Sequence, residues 1–392
     1  MTRTEIADIG KQAVLDKLFE KSGYINEQPI RLKQKGECCT VQKLMLEGCD
    51  FDLVYTPLKH LGYKAVLNVL GELYASLRQP ASLSVVLGLS KRFCYEDVAE
   101  LWEGVLAACR EHGVAQLSLE LNPSVNGLAI GLAACGVQKK GVIEKLPASK
   151  NMDLICLSGH VGAAYMGLHV LEREKVSFTG TGEQPDLSKY KAVLASYLSP
   201  EIKPGIVSRF IEADALPSRG YFLTRGLGEA VIRLTRDTGL GAKIYLEKIP
   251  ISSQTFAMAE EIDMDVVTAA MNGGDDYKFL FTLPIEKHDV VRKDFQDFEI
   301  IGHTARPDVG PVLVTPKAPN SPSTRRGIDP PERTRPAFLE WNPGGAPPAL
   351  CTINIWISVD YRIIPTWPLV GIMFYIIDCQ SFVVHCINGG IW

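Results

Sequence analysis

Between residues 58 and 135, long helical patterns alternate with short apolar runs of strand length, and this alternation limits the fold more than any other feature. Leu58 to Leu77 (LKHLGYKAVLNVLGELYASL) repeats apolar residues at helical spacing, with Pro57 near its start. Ala81 to Leu89 (ASLSVVLGL) reads as a buried strand, and Tyr95 to His112 as a helix ended by Gly113. Gln116 to Leu121 and Leu128 to Cys135 follow as strands. Beyond them, strands are expected at Asp153–Leu157, Ala242–Glu247, Phe279–Leu283 and Phe298–Ile301, with helices at Gly162–Glu174 and Gly226–Asp237. A further amphipathic helix is expected over Glu5–Lys21. Strands and helices mix without a strict βαβ period, so the class is α/β with mixed α+β layers.

A chain of 392 residues is comfortable for two domains, and a boundary near residue 150, within PASKN, divides it into an N-terminal domain, 1–150, and a C-terminal domain, 151–316. After about residue 316 the composition changes. Residues 317–348 are rich in Pro and Arg, as a disordered linker is, and 349–392 form an apolar, tryptophan-rich tail of unassigned role. Its least polar run, PLVGIMFYII, has ten residues, against about 20 for a spanning helix, so membrane attachment is not expected. A net charge of −4 shows no footprint for nucleic acid. The first residues are charged and helix-like, without the apolar centre of an export signal, and the ten cysteines lack metal-ligand spacing. Reduced thiols in a cytoplasm are therefore expected.

There is no GxxxxGK[ST] loop, no GxSxG elbow, no HExxH and no paired CxxC. Three glycine-flanked or acidic stretches remain. In NGGDDYKFLFTL, Asn272 to Leu283, two glycines precede two carboxylates that an extended backbone would turn to opposite sides. At most one of Asp275 and Asp276 then enters a given pocket, and a solvated hairpin turn is the favoured reading of the stretch alone. In Leu46–Ala65, Glu47, Asp50 and Asp52 precede a helix as capping groups do, and His60 reads as a surface or satisfied residue. Ser158–Ala164 (SGHVGAA) suits either a phosphate at a helix start or tight strand–helix packing.

Taken in order, YTPLKHLGYKAV, DLICLSGHVGAAYMGLHVLEREK, QPDL, GLGAKIYLEKIPI and NGGDDYKFLF resemble the thiamine-monophosphate kinase family, over about residues 5 to 305. Its superfamily is that of aminoimidazole ribonucleotide synthetase. The resemblance implies two α/β domains, with the N-terminal sheet pairing across a homodimer. It implies transfer of the ATP γ-phosphoryl group to thiamine monophosphate, by direct in-line displacement with several Mg²⁺ ions held by aspartates and no covalent nucleophile.

Position by position, several family residues change. The family's glycine and two aspartates fall on Gly36-Glu37-Cys38, its Thr-Asp on Gln42-Lys43, and a substrate-contacting histidine on Asp50. Its Asn-Leu-Ser-Asp falls on Val69-Leu70-Gly71-Glu72, its Gly-Gly-Asp on Ser118-Leu119-Glu120, and its Asp-x-Ser-Asp-Gly on Phe222 to Gly226. Asp275 stands where the family commonly has a substrate-contacting glutamate. By this correspondence Glu72, Glu120 and Glu37 are the candidate metal ligands. Thr224, Arg225, Gly226 and Lys43 are expected at the nucleotide, and Asp50 and Asp275 at the thiamine moiety. Five aspartates become Lys43, Glu72, Glu120, Phe222 and Arg225, which together carry no net charge. Because Mg²⁺ requires near-octahedral oxygen ligation, a weakened metal site is expected. The alternative is a non-catalytic ligand-binding or scaffold protein on the same fold, attached to a partner or a membrane through its tail.

Overall fold

A computed structural model describes residues 3–315, apart from 31, 33, 34, 183 and 184, together with a two-residue strand at 326–327. Apart from that strand, the expected linker 317–348 and tail 349–392 lie outside the described residues.

The first layer is a four-stranded sheet of β1 (Glu37–Leu46), β2 (Gln79–Leu89), β3 (Gln116–Pro123) and β4 (Ala129–Gln138), in the order β1-β4-β2-β3. Only β2 and β3 run parallel. The second sheet holds β5 (Leu154–Ser158), β6 (Arg219–Leu223), β7 (Gly241–Tyr245), β8 (Lys278–Leu283), β9 (Phe298–Ala305), β10 (Pro311–Val314) and β11 (Arg326–Gly327). Its order is β11-β10-β7-β9-β5-β8-β6, with β10 parallel to β7.

The helices are α1 (Ile6–Ile9), α2 (Lys11–Glu20), α3 (Leu58–Ala75), α4 (Tyr95–Glu111), α5 (Lys140–Ile143), α6 (Ala163–Thr181), α7 (Lys191–Leu198), α8 (Ile206–Glu212), α9 (Leu227–Thr238), α10 (Ser253–Glu261), α11 (Val266–Asn272) and α12 (His288–Asp294). The mixed α/β class read from the sequence is the observed one. The N-terminal helix is broken at Gly10, whose φ of 83° no other residue adopts cheaply.

Helix α3 decides the architecture. Thirteen of its 18 residues are buried, as befits a helix that is apolar nearly all round. It packs on β1, β2 and β4 of the first sheet, on β6 and β8 of the second, and along α4. One apolar core therefore runs through both sheets, joining Leu61, Leu67 and Leu70 of α3 to Phe222, Tyr277 and Phe281. Each such leucine, withdrawn fully from water, contributes about 1.5–3 kcal/mol. The approach to α4 is close because Gly62 and Gly104 interleave. A Cβ at Gly62 would strike the Leu101 carbonyl, and one at Gly104 the Lys59 carbonyl. On its far side the second sheet carries α9 and α11 around Leu227, Val231 and Met271.

Candidate functional site

On this buried helix the polar residues Lys64, Asn68, Glu72 and Ser76 recur every four positions, ending one residue past its C-terminus. Residues four apart share one face, so the stripe forms a single polar line in an apolar helix. Its lower end opens on a cleft of about 470 Å³. Asn68, Glu72 and Ser76 line one side, Lys43 and the open edge of β1 another, and Thr224 and Arg225 of the β6–α9 turn a third. Lys43, Glu72, Thr224 and Arg225 were all expected at the site, and the fold gathers them. Asn68, Ser76 and Lys64 were not singled out as site residues; the four-residue polar spacing in an apolar helix is the signal that points to them.

The upper end of the stripe grips the NGGDDY segment, which connects α11 to β8. The expected hairpin turn is therefore not found, because the flanking elements are a helix and a strand. Asp275 and Tyr277 adopt φ of 58° and 53°, and their amides donate to the carbonyls of Thr224 and Leu223 at 3.1 and 3.0 Å. The two aspartates part, although by a left-handed turn at Asp275 and not by the extended backbone the sequence suggested. The Nζ of Lys64 donates to Oδ2 of Asp275 at 2.9 Å and stands 3.7 Å from the Tyr197 ring centroid. Asp276 turns the other way and is buried, its Oδ1 accepting from the Gly162 amide at 2.8 Å. Its Oδ2 has no partner among the described residues, and burial pushes the carboxyl up to about 7. Burial likewise holds the Tyr277 phenol well above its usual range, and the Asn68 amide donates to its oxygen at 3.1 Å.

The contact between Asp276 and Gly162 favours the packing reading of SGHVGAA. Gly162, at φ 84°, begins α6 against the backbone of Ala270, and the Asp276 carboxylate takes the helix's first free amide. Tight packing therefore accounts for Gly162, whose amide is already engaged by a carboxylate. The acidic cluster ahead of α3 is also corrected. None of its carboxylates caps the helix, whose N-cap is Pro57. Asp50 accepts from the Leu46 amide at 2.8 Å, Glu47 from Leu128 at 2.8 Å, and Asp52 from Val54 at 2.8 Å and from Lys175 at 2.6 Å. They pin the turn leading out of β1. His60 bonds Ser199 through Nδ1 at 2.6 Å, as a satisfied residue does.

The three candidate metal carboxylates stand in three places. Glu72 alone reaches the cleft, and Arg233 holds it at 3.5 Å. Glu37 pairs with Arg78 at the start of β1. Glu120 pairs with Lys11 in a separate cavity of about 730 Å³ between α2 and β3. Strand alternation explains Glu120, since Leu119 and Leu121 point into the core and residue 120 must point out. Among the described residues no group of three or more His, Cys, Asp or Glu side chains is placed to hold a metal ion. The donors present do not fit the Mg²⁺ cluster that the resemblance implies.

Two further replacements meet each other. The ring of Phe222 lies where a Cβ on Gly71 would stand, and it packs edge-on to Tyr277 with centroids 5.3 Å apart. An aromatic side chain thus fills space beside Glu72. Gly226 turns into α9 at φ 89° against the Met271 carbonyl, and it makes that turn rather than lining the cleft.

Residues 26–138 match the domain described as AIR synthase related protein, N-terminal domain. A thiamine-monophosphate kinase of Rhodopirellula baltica is 22% identical over 269 residues, covering 69% of this chain and 74% of the relative. The crystal structure of the thiamine monophosphate kinase of Aquifex aeolicus superposes with a TM-score of 0.61 at 19% identity, covering 80% of this chain and 100% of that one. A complex of such a kinase with AMPPCP and TMP gives 0.60 at 18%, covering 82% and 98%. The hydrogenase maturation protein HypE of E. coli shares the fold, at 0.60 and 14% identity, covering 82% and 98%. The fold and the matched domain are those of the AIR synthase-like superfamily. The chain is similar to the Rhodopirellula baltica kinase over 69% of its own length, and to a thiamine-monophosphate kinase of Methanospirillum hungatei JF-1 at 24% identity over 64% of it. Among the described residues no helix is long and apolar enough to cross a membrane.

Proposed function

We propose that the chain is a cytoplasmic, homodimeric phosphotransferase of the thiamine-monophosphate kinase type, taking ATP and thiamine monophosphate in the cleft beside α3 and transferring phosphate slowly. The convergence of Lys43, Asn68, Thr224 and Arg225 on one cavity carries this reading. Lysine and arginine suit phosphate oxygens, and the relative solved with AMPPCP and TMP has the same fold. Lys43 and Arg225 meet the nucleotide phosphates, Thr224 lends its hydroxyl, and Asn68 orients what enters between them. Asp50 and Asp275 lie toward the thiamine moiety, where Asp275 is already neutralised by Lys64. No residue serves as a covalent nucleophile. The division into domains at about residue 150 belongs to this reading, since β4 ends at Gln138 and β5 begins at Leu154.

A second reading, a binding protein without catalysis, is favoured by one observation: Glu72 is the only candidate metal ligand among Glu37, Glu72 and Glu120 that reaches the cleft, and Arg233 already engages it. ADP release coupled to thiamine monophosphate, measured both without Mg²⁺ and at millimolar Mg²⁺ beside calorimetric binding of both ligands, separates the two. Slow substrate-dependent release supports the kinase. Binding of both ligands without release establishes the second reading, and failure of both to bind sinks the pair.

A further inference from the structure

We infer that the cleft takes its polyphosphate in the metal-free form, so that a divalent cation competes with the site rather than completing it. This rests on the proposed use of the cleft as the phosphate site. The charge around it has the sign for that task. Lys43, Arg225 and Arg233 stand against Glu72 and Glu229. Arg233 bridges both carboxylates, and among the described residues Arg225 pairs only with Glu229, at 2.9 Å and half-exposed. Among the described residues Lys43 forms no ion pair, although it lines the cavity. An ammonium in a concave site without a counter-charge attracts an anion, and two cations repel a third that arrives with it.

The interior behind Glu72 is consistent with this. There the buried ring of Phe222 packs over Gly71 and offers no oxygen where the resemblance expects an aspartate. Free ATP carries four negative charges near neutrality, whereas its Mg²⁺ complex carries two. A site whose own cations do the neutralising therefore prefers the free anion. Thr224 and Asn68 add donors there but no charge.

Calorimetric titration of the full chain with ATP and with tripolyphosphate, each in EDTA and again in excess Mg²⁺, reads this directly. Both ligands are expected to bind in EDTA, and Mg²⁺ should weaken each. Lys43→Ala should weaken the metal-free affinity about tenfold, the loss of one charge-assisted contact. Arg225→Ala, on an exposed side chain whose removal spares the fold, should do the same. Tighter binding of the Mg²⁺ complexes, or indifference to both substitutions, overturns the inference while leaving the ATP site standing. Failure of either polyphosphate to bind in EDTA also overturns it. If thiamine monophosphate still binds that preparation, the substrate reading survives separately.

Discussion

Lys64 on α3 and Asp275 in the α11–β8 connection meet at 2.9 Å, and their contact ties the first sheet's central helix to the second sheet. The two partners are unequal. The Lys64 side chain is 5% exposed and Asp275 28%, so only the carboxylate can turn to water when its partner is lost. Removing one member of a fully buried pair costs about 3–5 kcal/mol, mostly from the charge left behind. Asp275→Ala strands the ammonium and is expected near that range. Lys64→Met strands a group that water can reach, and should cost about 1–3 kcal/mol. Urea denaturation of the two variants checks the order, and a larger loss for Lys64→Met contradicts it.

Gly71 and Phe222 should behave as a coupled pair. A side chain at position 71 collides with the Phe222 ring, so Gly71→Ser overpacks the junction and costs about 1–3 kcal/mol. Phe222→Ala opens a cavity and costs about 3–5 kcal/mol. Combining Gly71→Ser with Phe222→Ala lets the serine occupy vacated space, and the double variant should be more stable than the sum by about 0.5–3 kcal/mol. Strict additivity in a double-mutant cycle would show that the ring and the glycine are independent.

Asp276 makes stability depend on pH with a definite sign. Its carboxyl is raised from 3.8 to about 7 by burial, with Asp275 adding to the rise and Lys278 opposing it. Between those values the folded chain holds a proton that the unfolded chain has lost, so stability falls as pH rises and levels off above about 7. The slope approaches about 1.4 kcal/mol per pH unit. Asp276→Asn keeps an acceptor for the Gly162 amide and removes the titration. Its unfolding free energy measured from pH 5 to 8 should be flatter than that of the parent, and an identical profile would place the proton elsewhere.

The layers were legible in the sequence where burial imposed a period. Helix α3 and strands β2, β3 and β4 follow their expected spans within a few residues, because nearly every apolar position in them faces a core. Strand β1 escaped notice: its alternation is carried by Cys39, Val41, Lys43 and Met45 against Cys38, Thr40, Gln42 and Leu44, where inward and outward residues differ little in polarity. Strand β6, with five residues, is too short to show a period. At the site, Glu120 was assigned by correspondence to a motif, although Leu117, Leu119 and Leu121 already fixed it on the outer face. The split between Asp275 and Asp276 was read from an extended backbone that Asp275, at φ 58°, does not adopt, and which of them is buried depends on α6, more than a hundred residues earlier.

The outer face of the first sheet carries the last prediction. Leu44, Leu46 and Val86 are 58, 39 and 42% exposed there, an apolar group that water does not favour. Leu44 lies opposite Gly131 and Leu46 opposite Ala129, so large side chains stand beside low ground on the same face. A second copy offering the same relief can interdigitate with it about a twofold axis, as isologous interfaces do. Leu44→Asp with Val86→Asp places two carboxylates in that seam without touching the core. The parent chain should scatter light as a dimer and the double variant as a monomer with an unchanged circular dichroism spectrum. A variant that remains dimeric would move the interface to another face of the molecule.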